Sequence, residues 1–160
     1  MKVFISLVLG LLISLGAYAQ SSASDTFTSS MVLRAAITLS CTNMNFPPRV
    51  AGKAYSTALN SDSGQQYAGF GNGNNSNCTV TGYASGKYSI ETPGGTNMTR
   101  SGGSETIAIS SFAVVGGVVS GRSLIGGNDS FQIRGTINSM SARPAGTYVS
   151  GNITVSVHYD

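Results

Sequence analysis

The sequence of 160 residues has no tryptophan, one histidine, two cysteines and few charged side chains. Charged residues make up 9% of the chain, well below the share of roughly 25% in ordinary soluble domains. The basic residues are scattered singly from Arg34 to Arg143, which excludes the clustered basic surface of a nucleic-acid-binding protein. Gly, Ser, Thr and Asn fill most polar positions, a composition typical of extracellular β proteins.

The single histidine restricts the chemistry that the chain can perform. His158 lies near Ser156, but both occupy positions predicted to face water, and the acidic residues are widely separated in sequence. Neither a Ser-His-Asp arrangement nor a carboxylate pair is therefore indicated. The Gly-Phe-Gly-Asn-Gly stretch at 69–73 is not followed by the lysine of a phosphate-binding loop. We predict a protein that is not an enzyme and that binds no cofactor or metal.

The first residues have the pattern of a secretory leader. Met1-Lys2 is a short basic start, the stretch from Val3 to Gly16 is apolar, and Ala17-Tyr18-Ala19 has the small-x-small form of a cleavage site. The apolar run is shorter than the roughly 20 residues that a membrane span needs. We predict a signal peptide over residues 1–19, export from the cytoplasm, and a mature chain that begins at Gln20.

The two cysteines, Cys41 and Cys78, are expected to pair because an exported chain folds in an oxidising compartment. The alternative is a metal-binding or catalytic thiol, but no histidine or carboxylate lies near either cysteine in sequence. A disulfide here closes a loop whose restriction of the unfolded chain contributes roughly 3 to 4 kcal/mol in the chain-entropy model.

Alternation of apolar and polar residues is the main pattern after residue 26, and no helical period occurs in the mature part. It predicts strands at Phe27–Cys41, Cys78–Tyr83, Lys87–Thr92, Glu105–Val115, Asp129–Ile137 and Tyr148–Tyr159. The alternation of apolar and polar residues shifts by one position at Ser110-Ser111, which indicates a bulge. Gly-rich turns separate these runs, so the pattern predicts an all-β domain of half-buried strands that share one core.

The last predicted strand is expected to have one face exposed to solvent. Ile153, Val155, Val157 and Tyr159 alternate with polar residues up to the last residue of the sequence. A strand at a chain terminus can lie at the edge of a sheet, where its unpaired backbone groups are able to recruit another chain. We therefore expect this strand to take part in assembly.

Three stretches carry a resemblance to known proteins: CTVTGYASGKYSIETP (78–93), LIGGNDSFQIRGTI (124–137) and the ending AGTYVSGNITVSVHYD. They resemble a family of exported bacterial domains of unknown function and, more distantly, spore-coat-U-like proteins and the pilins of archaic chaperone-usher pili. Those pilins join a cysteine of the first strand to one of the second and often carry an aromatic residue where Tyr159 stands. One departure is Pro47-Pro48, where relatives usually have glycine after Asn45-Phe46.

The resemblance implies an immunoglobulin-like β-sandwich with Greek-key sheets over residues 32–160, lacking one strand. A periplasmic chaperone, an outer-membrane usher and identical or related subunits would be the partners, in a fimbria on the cell surface. Residues 20–31 would then form the N-terminal extension that supplies the missing strand to the next subunit. Phe27, Ser29 and Met31 are its expected inward residues, with Ala23 and Asp25 as further candidates. The alternative is a self-complete secreted or surface binding module, with glycans as the candidate ligand, in which the extension fills its own domain.

Overall fold

The structure is a computed structural model that describes residues 24–61 and 73–160. The chain divides into two units, Met1–Val32 and Leu33–Asp160, which we describe separately. In the first unit, residues 24–32 contain no strand, and the side chains of Phe27 and Met31 are 92% and 81% exposed. The predicted signal peptide and the new N-terminus at Gln20 lie outside the described residues. The second unit holds the core and all of the strands in the described residues.

The described residues contain eleven strands and no helix, so the all-β prediction is confirmed. They also lack any helix with the length and apolar character that a bilayer crossing requires. The strands are β1 (Thr38–Cys41), β2 (Leu59–Asn60), β3 (Ser76–Thr81), β4 (Lys87–Glu91), β5 (Thr96–Arg100), β6 (Thr106–Ile109), β7 (Ser111–Val114), β8 (Arg122–Ser123), β9 (Asn128–Ile137), β10 (Tyr148–Ser150) and β11 (Ser156–Tyr159).

The largest sheet has five strands built around β9. The strands β2 and β3 lie along one side of β9, β1 pairs with β3, and β7 lies on the other side of β9. Thr136 fixes this order because it pairs with Asn60 of β2 and with Ser111 of β7, and a strand residue has only two lateral neighbours. All of these pairings are antiparallel.

Two three-stranded sheets complete the second unit, in the orders β10-β5-β6 and β11-β4-β8. Each of the last two strands therefore pairs on one side only among the described strands. The ladder of β10 with β5 pairs Ser150 with Met98. Continued along the chain, this register would place Ser156 opposite Thr92, but Ser156 of β11 pairs with Glu91. The register therefore shifts by one residue between the two ladders, and β10 and β11 do not continue as one regular strand.

The core draws side chains from all three sheets. Its fully buried residues include Tyr88 and Leu124, which have no exposed surface. The other buried apolar residues are Leu59, Cys78, Val80, Ile90, Ile109, Phe112, Val114, Phe131, Ile133 and Ile137. Strands β3, β4 and β7 alternate strictly between buried and less buried residues, which confirms the sequence pattern that predicted them.

Three sequence expectations are corrected by the structure. The long strand predicted over 27–41 is found only at Thr38–Cys41. The strand predicted over 148–159 is interrupted, because residues 151–155 belong to no strand. At Ser110, where a bulge was predicted, the chain leaves the sheet of β6 and enters the sheet of β7.

Candidate functional site

An open groove of about 1340 Å³ runs along the second unit between β1 and the chain that follows Thr147. Its floor consists of buried apolar side chains contributed by strands of different sheets. These are Leu59, Ile109, Phe112, Ile133 and Ile137. An apolar floor of this kind favours an occupant that also presents apolar side chains.

The two walls of the groove are half-buried and apolar. Leu39, Met44 and Phe46 line one wall, and Ile153 and Val155 line the other. All of them pack against the buried core while keeping part of their surface exposed. Covering this exposed apolar surface would contribute free energy at roughly 25 cal/mol per Å².

The backbone of residues 151–155 has no partner in the part of the chain that the structure describes. These residues belong to no strand, and none of their N–H or C=O groups forms a backbone hydrogen bond with a described residue. Pro93 explains part of the gap, because it lies in the connection between β4 and β5 and has no N–H to donate to a neighbouring strand. The groove therefore offers hydrogen-bonding groups as well as apolar walls.

One end of the groove is closed by Tyr159, and we call it the tyrosine end (Ala35, Tyr83 and Tyr159). The Tyr159 hydroxyl donates a hydrogen bond to the carbonyl oxygen of Ala35 (2.9 Å) and accepts one from the Tyr83 N–H (2.6 Å). These bonds join the chain just before β1 to the end of β11. The residues lining the groove accordingly reach Leu39 and Val155 and go no further in this direction.

Two glycines make room for the Tyr159 ring. A Cβ atom on Gly82 would collide with the Tyr159 hydroxyl, and one on Gly86 would lie 2.9 Å from ring atom Cε1. Both residues belong to or flank the turn between β3 and β4. Their lack of a side chain is thus a requirement of the closed end.

The groove continues at its other end to the proline end (Pro47, Pro48 and Pro144). Here the two chain segments are joined by a hydrogen bond from the Gly52 N–H to the Arg143 carbonyl oxygen (2.8 Å). Pro47 is buried, and a side chain on Gly73 would lie 2.6 Å from its Cδ atom. Pro47 is therefore fitted closely to its surroundings, whereas Pro48 is exposed.

The predicted disulfide is present. Cys41 and Cys78 are directly paired residues of β1 and β3, with Cα atoms 4.0 Å apart, and no free cysteine remains. Cys78 is buried in the core, whereas Cys41 lines the groove. The bond therefore ties the wall strand β1 to the core.

A polar cluster that does not line the groove links β4, β8 and β9. The Tyr88 hydroxyl donates to Asp129 Oδ2 (2.8 Å), and Arg122 Nε donates to the same carboxylate oxygen (2.9 Å). Burial raises the pKa of the Tyr88 phenol, although the hydrogen bond from Arg122 opposes that shift. Burial alone would lower the pKa of Arg122, but its interactions with Tyr88 and Asp129 outweigh burial and raise it. The cluster is satisfied internally, so we assign it a structural role.

The structure brings some of the predicted site residues together and separates others. Ile153 and Val155 line the groove, while Val157 and Tyr159 lie on β11 and are not among the residues that line it. The predicted donor residues Phe27, Ser29 and Met31 belong to the other unit and are exposed. His158 is exposed on β11, and the described residues contain no group of three or more metal-ligating side chains.

Several groove residues were not identified from the sequence. They are Met44, Phe46, Met98, Ile107 and Met140. Ile107 was predicted to face inward, but without a role in a site. The others lie outside the alternating runs, so no local pattern marks them.

The comparisons with known proteins give one match. The sequence model of a family described as "Domain of unknown function (DUF4402)" matches residues 49–159, which include most of the groove. Neither the curated proteins nor the solved structures contain a match to this chain.

Proposed function

The chain belongs to this family, whose description states no activity, and we propose from the geometry that it is a structural subunit of a bacterial surface fibre. In this proposal the sheets form an immunoglobulin-like, Greek-key β-sandwich of the pilin type that lacks one strand. The groove is the place of that strand. A strand supplied by another copy completes the sandwich and links the two subunits.

The observation that carries the proposal is the unpaired stretch 151–155 beside an apolar groove. Backbone groups that are buried by an incoming strand need partners, and those of 151–155 have none among the described residues. An extended segment placed between this stretch and β1 would pair with them and cover Ile153 and Val155 at the same time. Strand addition combines these two contributions, with the backbone giving affinity and alternate side chains filling pockets.

Donation of the extension from each copy to the next would build an open fibre. The chain enters the second unit at the tyrosine end, where Ala35 accepts the hydrogen bond from Tyr159. The groove extends from there to the proline end, where the hydrogen bond from Gly52 to Arg143 also joins its two sides. An extension of one copy that lies in the groove of the next makes a head-to-tail contact, which propagates when its rotation does not close a ring.

The predicted donor is the N-terminal extension, residues 20–31, with Phe27, Ser29 and Met31 facing the floor of the groove. Its polar residues Thr26 and Thr28 would then face solvent. Until a donor arrives, the open groove would need cover, which the resemblance to pilins assigns to a periplasmic chaperone acting with an outer-membrane usher. The subunit would pass through the periplasm and end at the cell surface.

A pair of variants tests the proposal with the full mature chain purified from the periplasm. Phe27→Asp places a carboxylate in the apolar groove, whereas Thr28→Asp places the same charge on the opposite side of the extension. Light scattering and electron microscopy over a range of concentrations should show fibres for the native chain and for Thr28→Asp, but monomers for Phe27→Asp.

A native chain that stays monomeric at every concentration would overturn the proposal. In that case the self-complete binding module becomes the preferred function. Equal assembly by both variants would show that the extension is not the donor.

A further inference from the structure

The groove has a defined stopping point for an incoming strand. Its lining reaches Leu39 and Val155, beyond which β1 and β11 approach each other and the hydrogen bond from Tyr159 to Ala35 joins the end of β11 to the chain before β1. A strand lying in the groove therefore cannot extend past the tyrosine end between these segments without separating them and breaking that bond.

Arg34 lies beside this stopping point. It directly precedes Ala35, and its guanidinium carbon is 4.9 Å from the centre of the Tyr83 ring. Neither of the two ion pairs formed by the described residues involves Arg34. A positive charge is thus available at the closed end of the groove.

The donor extension carries one charged residue, Asp25, which lies two positions before Phe27. Because strand side chains repeat every two residues, Asp25 would face the same side as Phe27. A carboxylate cannot enter an apolar groove without a large desolvation penalty. Asp25 must therefore lie at or beyond an end of the groove when Phe27 is inside it.

We propose that Tyr159 sets the register of the inserted strand and that Asp25 of one copy pairs with Arg34 of the copy that receives it. This inference rests on the proposed function, because it requires strand donation between copies. The extension lies with its N-terminal part at the tyrosine end and with Met31 towards the proline end. It then runs antiparallel to the wall formed by residues 147–155.

Cysteine pairs on separate full-length chains test the direction and the register. One chain carries Thr26→Cys, and its differently tagged partner carries Ala36→Cys at the tyrosine end or Ala145→Cys at the proline end. Mild oxidation should yield mixed disulfides with Ala36→Cys and few with Ala145→Cys. Mass spectrometry confirms that Cys41 remains bonded to Cys78 in each sample.

The stop is tested by adding Tyr159→Phe, which keeps the ring but removes both hydrogen bonds of the hydroxyl. When cysteines are placed one at a time at positions near Ala36, Thr26→Cys should then form cross-links with several of them. An unchanged, single cross-linking position in Tyr159→Phe would show that this residue does not set the register.

Charge exchange tests the ion pair. Asp25→Arg should raise the dissociation constant of assembly about fivefold, the effect expected of an exposed pair, and high salt should abolish the difference. The double variant Asp25→Arg/Arg34→Asp should restore assembly. Lys53→Gln, which changes an exposed cation away from the groove lining, should have no effect, whereas Arg34→Gln should weaken assembly.

The outcomes separate this inference from the proposed function. Fibres that form normally but show cross-links at Ala145, or no rescue by the double variant, contradict the register and leave the fibre proposal standing. Absence of any assembly contradicts the fibre proposal itself.

Discussion

Gly82 has no space for a side chain because the Tyr159 hydroxyl lies within collision distance of the position that a Cβ would take. Gly82→Ala should displace that hydroxyl and weaken its hydrogen bonds to Ala35 and Tyr83. At about 1 kcal/mol for each bond, we expect a loss of about 1 to 3 kcal/mol in the free energy of unfolding. Urea denaturation followed by circular dichroism measures the change.

Gly94 provides the matched control. A Cβ at this position meets no atom within 4 Å, and the residue does not have a positive φ. Gly94→Ala should therefore leave stability unchanged or raise it slightly. If both alanine variants behave alike, the closed end is not held by Tyr159.

Tyr88 gives the fold a dependence on alkaline pH. Burial raises the pKa of its phenol above the ordinary value of 10.0. Its contribution to stability is therefore complete below about pH 10 and is lost as the pH rises through the folded-state pKa. Tyr88→Phe should lower stability by about 1 kcal/mol at neutral pH, because the hydrogen bond to Asp129 is lost.

The measurement compares the unfolding free energies of Tyr88→Phe and the native chain at about pH 8 and about pH 11. The difference in unfolding free energy between the two proteins should be smaller at the higher pH. A constant gap would mean that the phenol titrates alike in the folded and unfolded chains.

At the scale of elements, the two faces of the interrupted stretch 148–159 differ in how far their side chains are buried. Val155 is half-buried in the groove wall, whereas Thr154 is exposed. Val155→Asp should destabilise the subunit by a few kcal/mol, because the carboxylate must displace packed apolar surface. Thr154→Asp should change stability by less than about 0.5 kcal/mol. Thermal unfolding of both variants checks the contrast, and equal losses would contradict the one-sided burial.

The disulfide joins β1 to β3, and its two cysteines are 37 positions apart in sequence. Reduction should lower the unfolding free energy by about 3 to 4 kcal/mol, because the unfolded chain regains the entropy of the opened loop. Unfolding with and without dithiothreitol gives the value. In the double variant Cys41→Ser/Cys78→Ser the reductant should have no effect.

The strands that the sequence predicted well are those in which one face is buried along the whole length. Val80 in β3 and Ile90 in β4 are examples, since both belong to regular alternations and both are buried. In contrast, β2 and β8 have two residues each, too few to show any period. Their existence depends on distant partners in β9 and β4.

The groove was predictable only in part, for a related reason. Ile153 and Val155 were identified because they alternate with polar residues, but the break at 151–155 lies opposite the connection that contains Pro93, between the ladders of β10 with β5 and of β11 with β4. Met98 and Met140 reach the groove through tertiary packing. A pattern confined to neighbouring residues contains no information about either effect.

At the scale of the whole molecule, the mature chain should begin at Gln20 and contain one disulfide. Intact mass spectrometry of the exported protein under non-reducing conditions should give the mass of residues 20–160 less two hydrogens. A product that retains residues 1–19 would contradict the predicted leader. Reduction with alkylation supplies the control, because it should add two alkyl groups only after the disulfide is opened.

The position of the disulfide has a mechanical consequence. If the chain forms the proposed head-to-tail fibre, a pulling force would enter each subunit at Leu33, where the extension joins the domain. It would pass along β1 to Cys41, where the covalent bond transmits it to Cys78 in the core strand β3. Under such tension the disulfide would keep β1 attached to β3 even after the hydrogen bonds between the two strands had broken. In the proposed fibre this covalent bond would therefore limit how far a pulled subunit could extend.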